Sequence, residues 1–569
     1  MKKFSLLALT IGLTATLMAQ NTAVFDNYQY QAVNRFAAEK TNNQYQNPIL
    51  AGFMPDPSIC RKGDDYYLVN STFSYFPGVP IWHSKDLVNW TQIGHVLNRE
   101  SQLRLRNSPM SQGVYAPDIK FNPHDNKFYM ITTGTGYGST SIVTTDDPKK
   151  QNWSDPIELN DVRGIDPSLF FDEDGKAYIV NNEEPSYPAE YSGHRAIWIR
   201  EFDWKNGKTV GQKQVVIDKG VRKEDKPIWI EGPHLYKIKG VYYLMCAEGG
   251  TADWHSEVVL TADKPFGPYT PCKINPILTQ RLLPKDRLNP VTSSGHADLV
   301  QTAAGDWYAV FLACMPYRDG LYNTGRETFM LPVTWKDGQP IILPDGKEVP
   351  YAVDKSAEQL KLEKKWGVKG FDFYNTGSLW NSKGLNDHAI FVRNPVGNFY
   401  SIDANNQLSM TLKDAALYER TNPAFICQRI TSWYFTATTN VMFHPANPME
   451  FAGMAIFQNE SYYMQFGKTI DSTTQKPALL LESFKSGKSL SRFITVLPEN
   501  AANSKLTLKV EAVKPDAYVF CYSLDLGKSW KMVGEPLDAT LLSTEIASGF
   551  QGAELGIYAT NKLYRNVTK

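Results

Sequence analysis

Short apolar runs of about four to eight residues, separated by Gly, Asp, Asn and Pro, occupy most of the 569-residue chain. Runs such as YYLVNST and AYIVNNE combine β-branched and aromatic side chains, which fit a pleated sheet. No long segment beyond the N-terminal residues places its apolar residues at helical spacing. The pattern therefore predicts an all-β protein.

Five segments repeat one pattern, in which an apolar strand and a polar turn precede a second strand that carries aromatic residues. They read DPSICRKGDDYYLVNST, APDIKFNPHDNKFYMITTG, DPSLFFDEDGKAYIVNNEE, GPHLYKIKGVYYLMCAEGG and HADLVQTAAGDWYAVFLAC. The repeats recur at roughly 50–65 residues, close to the spacing of propeller blades. We predict a five-bladed β-propeller over residues 45–345; the alternative is a pair of β-sandwiches whose hairpins are similar by coincidence.

The first position of each repeat opens the innermost strand of a blade, and in a propeller this strand lines the central channel. In chain order, this position holds Asp56, Ala116, Asp166, Gly232 and His296. Glu231 stands one residue before the fourth of them. Burying unpaired carboxylates at this place is costly, so their presence favours a function that uses them.

Beyond residue 345 the repeat disappears, which predicts a second domain. The charged residues 346–367 are expected to form a linker, and residues 368–569 a β-sandwich. The strand-like runs that carry this second prediction are LSMTLK, FICQRI, YYMQFG, KLTLKVEA, AYVFCYSL and AELGIYAT.

The N-terminus has the features of a secretory signal peptide. Lys2 and Lys3 precede a mostly apolar run from Phe4 to Met18, and Ala19 follows it, so we predict a signal over residues 1–19. The run is short for a membrane span, and no later stretch is long enough for one. We therefore expect export to the periplasm, with the extracellular space as the alternative, and no membrane insertion.

The amino-acid composition limits the classes of binding partner that the protein can have. Acidic and basic residues balance at 59 each, which argues against a nucleic-acid partner because such a surface needs charge of one sign. The six cysteines show no metal-ligand spacing and are expected to be free, mostly buried thiols. Nothing in the sequence indicates a protein partner.

Three carboxylates near one axis can hydrolyse a glycosidic bond. One protonates the leaving oxygen, a second activates water or attacks carbon, and a third orients the proton donor and raises its pKa. The competing use is calcium binding, but calcium ligands usually come from one loop, whereas these acids come from separate repeats. Asp118 falls two residues deeper than the first position, level with Ser58, Ser168 and His234, and is predicted to support the site by hydrogen bonding.

Several motifs resemble glycoside hydrolase family 43. They are NPILAGFMPDPSI, STFSYFPGVPIWHSKDLVNW, GIDPSLFFDEDGKAYIVNN, IWIEGPHLYK and NTGRETFMLPVTW, which occur in order over residues 45–345. The resemblance implies a five-bladed propeller and an inverting mechanism, with Asp56 as general base, Glu231 as general acid and Asp166 as pKa tuner and orienter. It also implies that the second domain is a concanavalin-like sandwich closing one side of the pocket.

The same resemblance implies substrate-binding roles for Arg326, Phe73, Tyr115 and His296. Arg326 would bind the terminal sugar, since its fork suits adjacent hydroxyls; the alternative is a surface Arg paired with an acid. Phe73 and Tyr115 would form pocket walls, and Tyr115 departs from the Trp common in xylosidase relatives. His296 would lie near the channel centre as a structural residue or, alternatively, beside a calcium ion.

The resulting hypothesis is an exo-acting enzyme that releases terminal α-L-arabinofuranosyl residues from plant hemicellulose oligosaccharides. The alternative is a β-D-xylosidase, or dual activity on both pentoses. A non-catalytic carbohydrate-binding propeller and an endo-acting arabinanase are lower alternatives. No cofactor is required for this chemistry, although a structural calcium ion is compatible with the family resemblance.

Overall fold

A computed structural model describes residues 21–36, 40–136, 138–501 and 503–563. This part of the chain is almost entirely β, which confirms the predicted fold class. The predicted signal, residues 1–19, lies outside the described residues. Within the described ranges, no helix has both the length and the apolar character needed to cross a membrane. All six cysteines are free, and five of them are buried.

Five antiparallel sheets form the blades of the predicted propeller. The first strands of successive blades contact one another, and those of blades 5 and 1 also touch, which closes the ring. Blade 1 contains Ser58–Lys62, Asp65–Val69, Gly78–Ser84 and Thr91–Leu97. Blade 2 contains Gly113–Asn122, Lys127–Thr135, Thr140–Thr145 and Ile157–Leu159. Blade 3 contains Ile165–Phe171, Ala177–Glu183, Ala196–Asp203 and Lys208–Asp218.

The last two blades complete the ring with the same antiparallel order. Blade 4 contains Glu231–Ile238, Val241–Glu248, Ser256–Ala262, Thr270–Pro271 and Leu278–Thr279. Blade 5 contains Thr292–Gln301, Trp307–Cys314, Glu327–Lys336 and Gln339–Ile341. The five-bladed propeller is thereby confirmed.

The segment before blade 1 is held by blade 5. Ile49 N donates to Thr328 O at 2.9 Å, and Met54 N donates to Arg326 O at 2.9 Å. Because Asp56 follows within two residues, these backbone bonds fix the start of the innermost strand of blade 1 against the last blade.

Residues 346–367, expected to be a linker, contain two ordered elements. The strand Ala352–Asp354 pairs with Gln44–Gln46, and the helix Ala357–Trp366 follows it. Ser356 begins the helix with a capping box, in which its side chain and that of Gln359 each accept a backbone N–H of the other residue. Gly367 ends the helix with a φ of 56°, a conformation that glycine adopts without steric cost. The caps at its two ends therefore stabilise a helix within this charged segment.

The C-terminal domain is a sandwich of two sheets, as predicted. One sheet contains, in spatial order, Tyr400–Ile402, Leu408–Thr411, Thr22–Ala32, Phe435–Met442, Leu506–Lys514, Ala517–Ser523 and Lys531–Met532, with Leu537–Asp538 beside Ala517–Ser523. The other contains Lys488–Val496, Pro477–Lys485, Tyr462–Ile470, Phe451–Asn459, Glu554–Thr560, Ala424–Arg429, Ile390–Val392 and Tyr75–Phe76. Residues 20–44 carry no pattern that predicts a domain, and the structure places the strand Thr22–Ala32 inside this sandwich.

A short strand that lies between two strands of blade 1 joins the propeller to the sandwich. The strand Tyr75–Phe76 leaves blade 1 and pairs with Ile390–Val392 at the edge of the second sandwich sheet. The remaining short elements are the hairpin Trp380–Asn381 and Gly384–Leu385, the helix Thr544–Ala547, and the 3₁₀ turns Pro148–Lys150, Lys223–Asp225, Glu499–Ala501 and Ala539–Leu542. A strand from within blade 1 is therefore also the edge strand of a sandwich sheet, so backbone hydrogen bonds connect the two domains.

Candidate active site

The equivalence of the first repeat positions is visible in the backbone. Asp56, Asp166, Gly232 and His296 have φ values of 49°, 53°, 54° and 56°. Blades 3, 4 and 5 shift register beside this position, which marks a β-bulge on each inner strand. Bulges re-aim side chains, and left-handed non-glycine residues store about 1–3 kcal/mol each at functional sites. At Gly232 a Cβ would meet the His296 ring at 3.0 Å, so a side chain there would crowd the channel.

Asp56 is a buried carboxylate with two fixed partners. Ser71 Oγ donates to Asp56 Oδ2 at 2.6 Å, and Arg326 Nη1 donates to Asp56 Oδ1 at 2.9 Å. All three residues are buried. A guanidinium and a hydroxyl donor that bond different oxygens of one carboxyl group fix its orientation. The arrangement therefore holds an oriented carboxylate at the channel mouth.

Asp166 and Glu231 are placed in a different electrostatic environment. Asp166 Oδ2 accepts a hydrogen bond from Gly232 N at 3.1 Å, which ties it to the residue that follows Glu231. Burial and then the charge of Asp56 raise the pKa of Asp166 to about 7. Burial, followed by the charges of Asp166 and Asp56, raises the pKa of Glu231 well above its ordinary value. Glu231 can therefore keep a proton near neutral pH.

Arg326 presents unused donors to the pocket. Beside its bond to Asp56, Nη1 donates to Thr251 Oγ1 at 3.2 Å, whereas the buried Nε and Nη2 atoms have no hydrogen-bond partner. The guanidinium carbon lies 5.5 Å from the ring centres of both Phe73 and Phe550. Buried N–H groups without acceptors are costly, so a ligand with adjacent oxygen atoms would satisfy them.

Three aromatic side chains form one wall of the pocket. Phe73 lies 4.9 Å from Tyr115 and 5.6 Å from Phe550, measured between ring centres. The Tyr115 hydroxyl donates to Ser111 O at 2.6 Å, which fixes the ring. Phe73 and Tyr115 thus line the pocket together, and the sandwich domain adds Phe550.

His296 also lines the pocket. It is buried, and burial lowers its pKa to about 4, so the ring is neutral near pH 7. A neutral imidazole can accept or donate a hydrogen bond, and it can also ligate a metal ion.

Below the mouth, a buried network joins the inner strands of blades 1, 2 and 5. Lys120 Nζ lies 2.9 Å from Asp118 Oδ1 and 2.8 Å from Asp298 Oδ2. Ser58 Oγ lies 2.9 and 2.8 Å from oxygens of the same two carboxylates. Asp118 is therefore placed in the supporting position expected for it, and Asp298 is a member of the same layer that the sequence analysis did not name.

This network also answers whether the expected calcium ion fits there. In the described ranges, Asp118, His234 and Asp298 are the group whose potential ligand atoms all lie within 4.8 Å of one another. Calcium takes about six to eight oxygen ligands. Here the ammonium group of Lys120 already bridges the two carboxylates, so this group of residues does not fit calcium.

The pocket extends beyond the carboxylates along blades 3 and 4, and its volume is about 640 Å³. Arg195 stacks on Trp229 with its guanidinium carbon 4.4 Å from the ring centre, and it also forms an ion pair with Glu184. Trp229 has a φ of 51°, and its N–H donates to Gly193 O at 2.8 Å. A planar aromatic and charged surface therefore lines the same pocket as the aromatic wall.

Several residues that line the pocket were not predicted from the sequence. Trp229 lies two residues before Glu231 in the motif IWIEGPHLYK, so the motif itself could have indicated it. Thr251, Arg195 and Glu184 lie in loops between strands and carry no repeat signal. Phe550 lies in a separate domain, and no local pattern connects it to the pocket.

Comparisons with known proteins match both domains. Residues 45–340 match the family model described as "Glycosyl hydrolases family 43". Residues 380–568 match the model described as "Beta xylosidase C-terminal Concanavalin A-like domain". The two matches account for the propeller and for most of the sandwich.

Similar proteins cover nearly the whole chain. A "Xylosidase/arabinosidase" from Butyrivibrio fibrisolvens is 37% identical over 520 residues, which cover 90% of this chain and 95% of the relative. A "Non-reducing end alpha-L-arabinofuranosidase" from Bacteroides ovatus is 34% identical, with 92% of each chain covered. The crystal structure of a GH43_12 protein retrieved from capybara gut metagenome has a TM-score of 0.85 and 38% identity, covering 95% of this chain and 100% of that one.

Proposed function

Because the chain belongs to glycoside hydrolase family 43, we propose that it is an inverting exo-glycosidase that releases terminal α-L-arabinofuranosyl residues from hemicellulose oligosaccharides. The observation that carries this proposal is the pocket itself. Asp56, Asp166 and Glu231 meet there beside the two unpartnered nitrogen atoms of the Arg326 guanidinium, Nε and Nη2. The three carboxyl groups and the N–H donors for sugar hydroxyls therefore line the same pocket.

The proposed reaction divides its proton transfers between two carboxyl groups. Glu231, protonated, gives its proton to the glycosidic oxygen as the bond from that oxygen to the anomeric carbon breaks. Asp56, ionised, takes a proton from a water molecule whose oxygen attacks the opposite face of the same carbon. The released sugar therefore has the inverted anomeric configuration. Asp166 keeps the pKa of Glu231 high and holds the neighbouring backbone through Gly232.

The shape of the pocket supports release of single sugars. Phe550 of the sandwich packs against Phe73 and Tyr115, so the aromatic wall closes one side of the channel mouth. A polysaccharide running across the propeller face would meet this wall. We infer that the terminal sugar enters end-on and binds Arg326, while the leaving sugar lies against Trp229 and Arg195.

The preference for arabinofuranose rests on Tyr115. A tyrosine ring is smaller than the indole that the family resemblance leads one to expect in xylosidases. It leaves more room beside Phe73 for the exocyclic hydroxymethyl group that arabinofuranose has and xylopyranose lacks. The second candidate is β-D-xylosidase activity, favoured by relatives named "Xylosidase/arabinosidase" and "Beta-xylosidase".

Hydrolysis of nitrophenyl α-L-arabinofuranoside and nitrophenyl β-D-xyloside tests the proposal directly. We expect a higher kcat/KM on the arabinofuranoside, and NMR of early products should show inversion at the anomeric carbon. Tyr115→Trp should lower the ratio of the two kcat/KM values by about 10-fold, since one or two carbons in a pocket change specificity by about 1–3 kcal/mol. Tyr115→Phe, which removes only the bond to Ser111, is the matched control.

Other results would support the rival functions. Sugar binding without release from aryl glycosides or natural oligosaccharides would identify a carbohydrate-binding propeller. Internal cleavage of linear arabinan into oligosaccharides would identify an endo-arabinanase, whereas only monosaccharides are expected.

We further propose that residues 1–19 direct export and that the enzyme acts in the periplasm. N-terminal sequencing of protein from fractionated cells would test both points. A calcium ion beside His296 also stays a proposal. It would draw most of its ligands from water, because His296 belongs to no group of three potential ligand side chains among the described residues.

A further inference from the structure

A small cavity lies at the seam between blade 1 and the sandwich, apart from the active-site pocket. Its volume is about 20 Å³, which is slightly more than the roughly 10–15 Å³ that one water molecule needs. The propeller contributes Trp82 and Gln92, and the sandwich contributes His388, Gln428 and Arg429. The space therefore suits one small ligand between the domains.

Each of these five side chains has a buried polar atom without a hydrogen-bond partner. Three are N–H donors, namely Trp82 Nε1, Gln428 Nε2 and Arg429 Nη2. The amide of Gln428 is oriented by Thr376 Oγ1, which donates to its oxygen at 2.8 Å, so the unpartnered atom is the NH₂ group. Because buried polar groups are nearly always satisfied, this concentration of donors around one cavity indicates an acceptor inside it.

The two other unpartnered atoms are Gln92 Oε1 and His388 Nε2. Burial, and next the charge of Arg429, lowers the pKa of His388 to about 4. A negative charge in the cavity would oppose that effect and favour the protonated ring, whose Nε2 then becomes a fourth donor. Gln92 Oε1 is an acceptor and contributes nothing to an anion.

Charge distinguishes an anion from a water molecule as the ligand. Arg429 is 4% exposed, and within the described ranges no carboxylate oxygen lies within 4.0 Å of its guanidinium nitrogens. Its Nε donates to Phe53 O at 2.7 Å, which is a neutral partner. Glu554 lies opposite Arg429 on the neighbouring strand, but its carboxyl group accepts a hydrogen bond from the Tyr75 hydroxyl and forms no ion pair with the guanidinium. Burying a guanidinium without a counter-charge costs free energy. A water molecule is neutral and would not offset this cost, whereas an anion would.

We propose that this cavity binds one monovalent anion of halide size, with chloride as its ordinary occupant. The anion accepts hydrogen bonds from Trp82, Gln428 and Arg429 and neutralises the charge of Arg429. Because these donors come from both domains, the bound ion ties blade 1 to the sandwich. Arg429 in turn holds Phe53, whose ring lies 5.8 Å from that of Phe73 in the pocket wall.

Soaking crystals in bromide tests whether an anion occupies the cavity. Crystals of the full chain grown without halide and soaked in sodium bromide should give an anomalous peak between Trp82, Gln428 and Arg429. Density there without an anomalous signal would identify a water molecule and overturn the proposal.

A thermal titration tests whether the ion matters in solution. Replacing sodium gluconate by sodium chloride at constant ionic strength should raise Tm saturably by about 2–4 °C, because a ligand of the native state stabilises it by mass action. Trp82→Phe removes one donor and keeps the ring, so it should at least halve this shift. Trp153→Phe is the matched control, since Trp153 Nε1 is also buried and unpartnered but does not line the cavity. An equal chloride response in both variants, or none in the unmodified protein, would contradict the proposal.

Discussion

Replacing Asp166 by Asn removes a negative charge from the neighbourhood of Glu231 while keeping an oxygen that accepts the bond from Gly232 N. Two unit charges about 6 Å apart at an effective permittivity of about 20 interact by about 3 kcal/mol, or about two pKa units. The pKa of Asp166 is itself raised to about 7, so this group is ionised only part of the time near neutral pH. We therefore expect Asp166→Asn to lower the pKa of Glu231 by about one unit.

The assay is kcat/KM against pH on an arabino-oligosaccharide, whose leaving group needs a proton. The alkaline limb reports loss of the proton from the general acid in the free enzyme, so it should move down by about one pH unit in Asp166→Asn. Glu248→Gln is the control, because Glu248 is buried at the end of the strand that pairs with that of Glu231. An unmoved or raised limb in Asp166→Asn, with activity retained, would refute the tuning role.

Glu231→Gln should lose about 10²- to 10⁴-fold in kcat on oligosaccharides and recover partly on a nitrophenyl glycoside, whereas Asp56→Asn should not recover; equal recovery in initial-rate measurements would overturn the two roles. Phe550→Ala should raise KM for nitrophenyl arabinofuranoside about 10-fold through loss of aromatic contact, and an unchanged KM would remove Phe550 from the pocket wall. Trp229→Ala should raise KM for a disaccharide more than for the aryl glycoside, and the exposed Trp254→Ala is its control. Dialysis against EDTA should leave kcat unchanged if no metal ion takes part in the chemistry, and loss restored by calcium would contradict that expectation.

The repeat in the sequence determined much of the fold and the positions of the central acids. Each blade is a local hairpin pattern, so the period could be read from sequence, and the first repeat position predicted where Asp56, Asp166 and His296 lie. The shared left-handed backbone of these residues agrees with that alignment. Asp298 could have been found in the same way, because it lies two residues after His296 as Asp118 lies two after Ala116.

Two other elements could not be predicted from the pattern of apolar and polar residues. The helix Ala357–Trp366 buries only Gln359 and Leu362, so it shows little apolar periodicity and depends on its caps. The strand Thr22–Ala32 pairs with strands more than 380 residues later, and nothing in its own pattern names those partners.

The sequence by itself determined the blade number, the family resemblance and the repeat positions of the three carboxylates, because these depend on local periodicity and on motifs within single strands. The tertiary structure alone decided what surrounds them. Phe550 enters the pocket from another domain, Arg326 pairs with Asp56, and burial raises the pKa of Glu231. Charge interaction and desolvation depend on distances through space between residues far apart in the chain, and a linear sequence does not contain those distances.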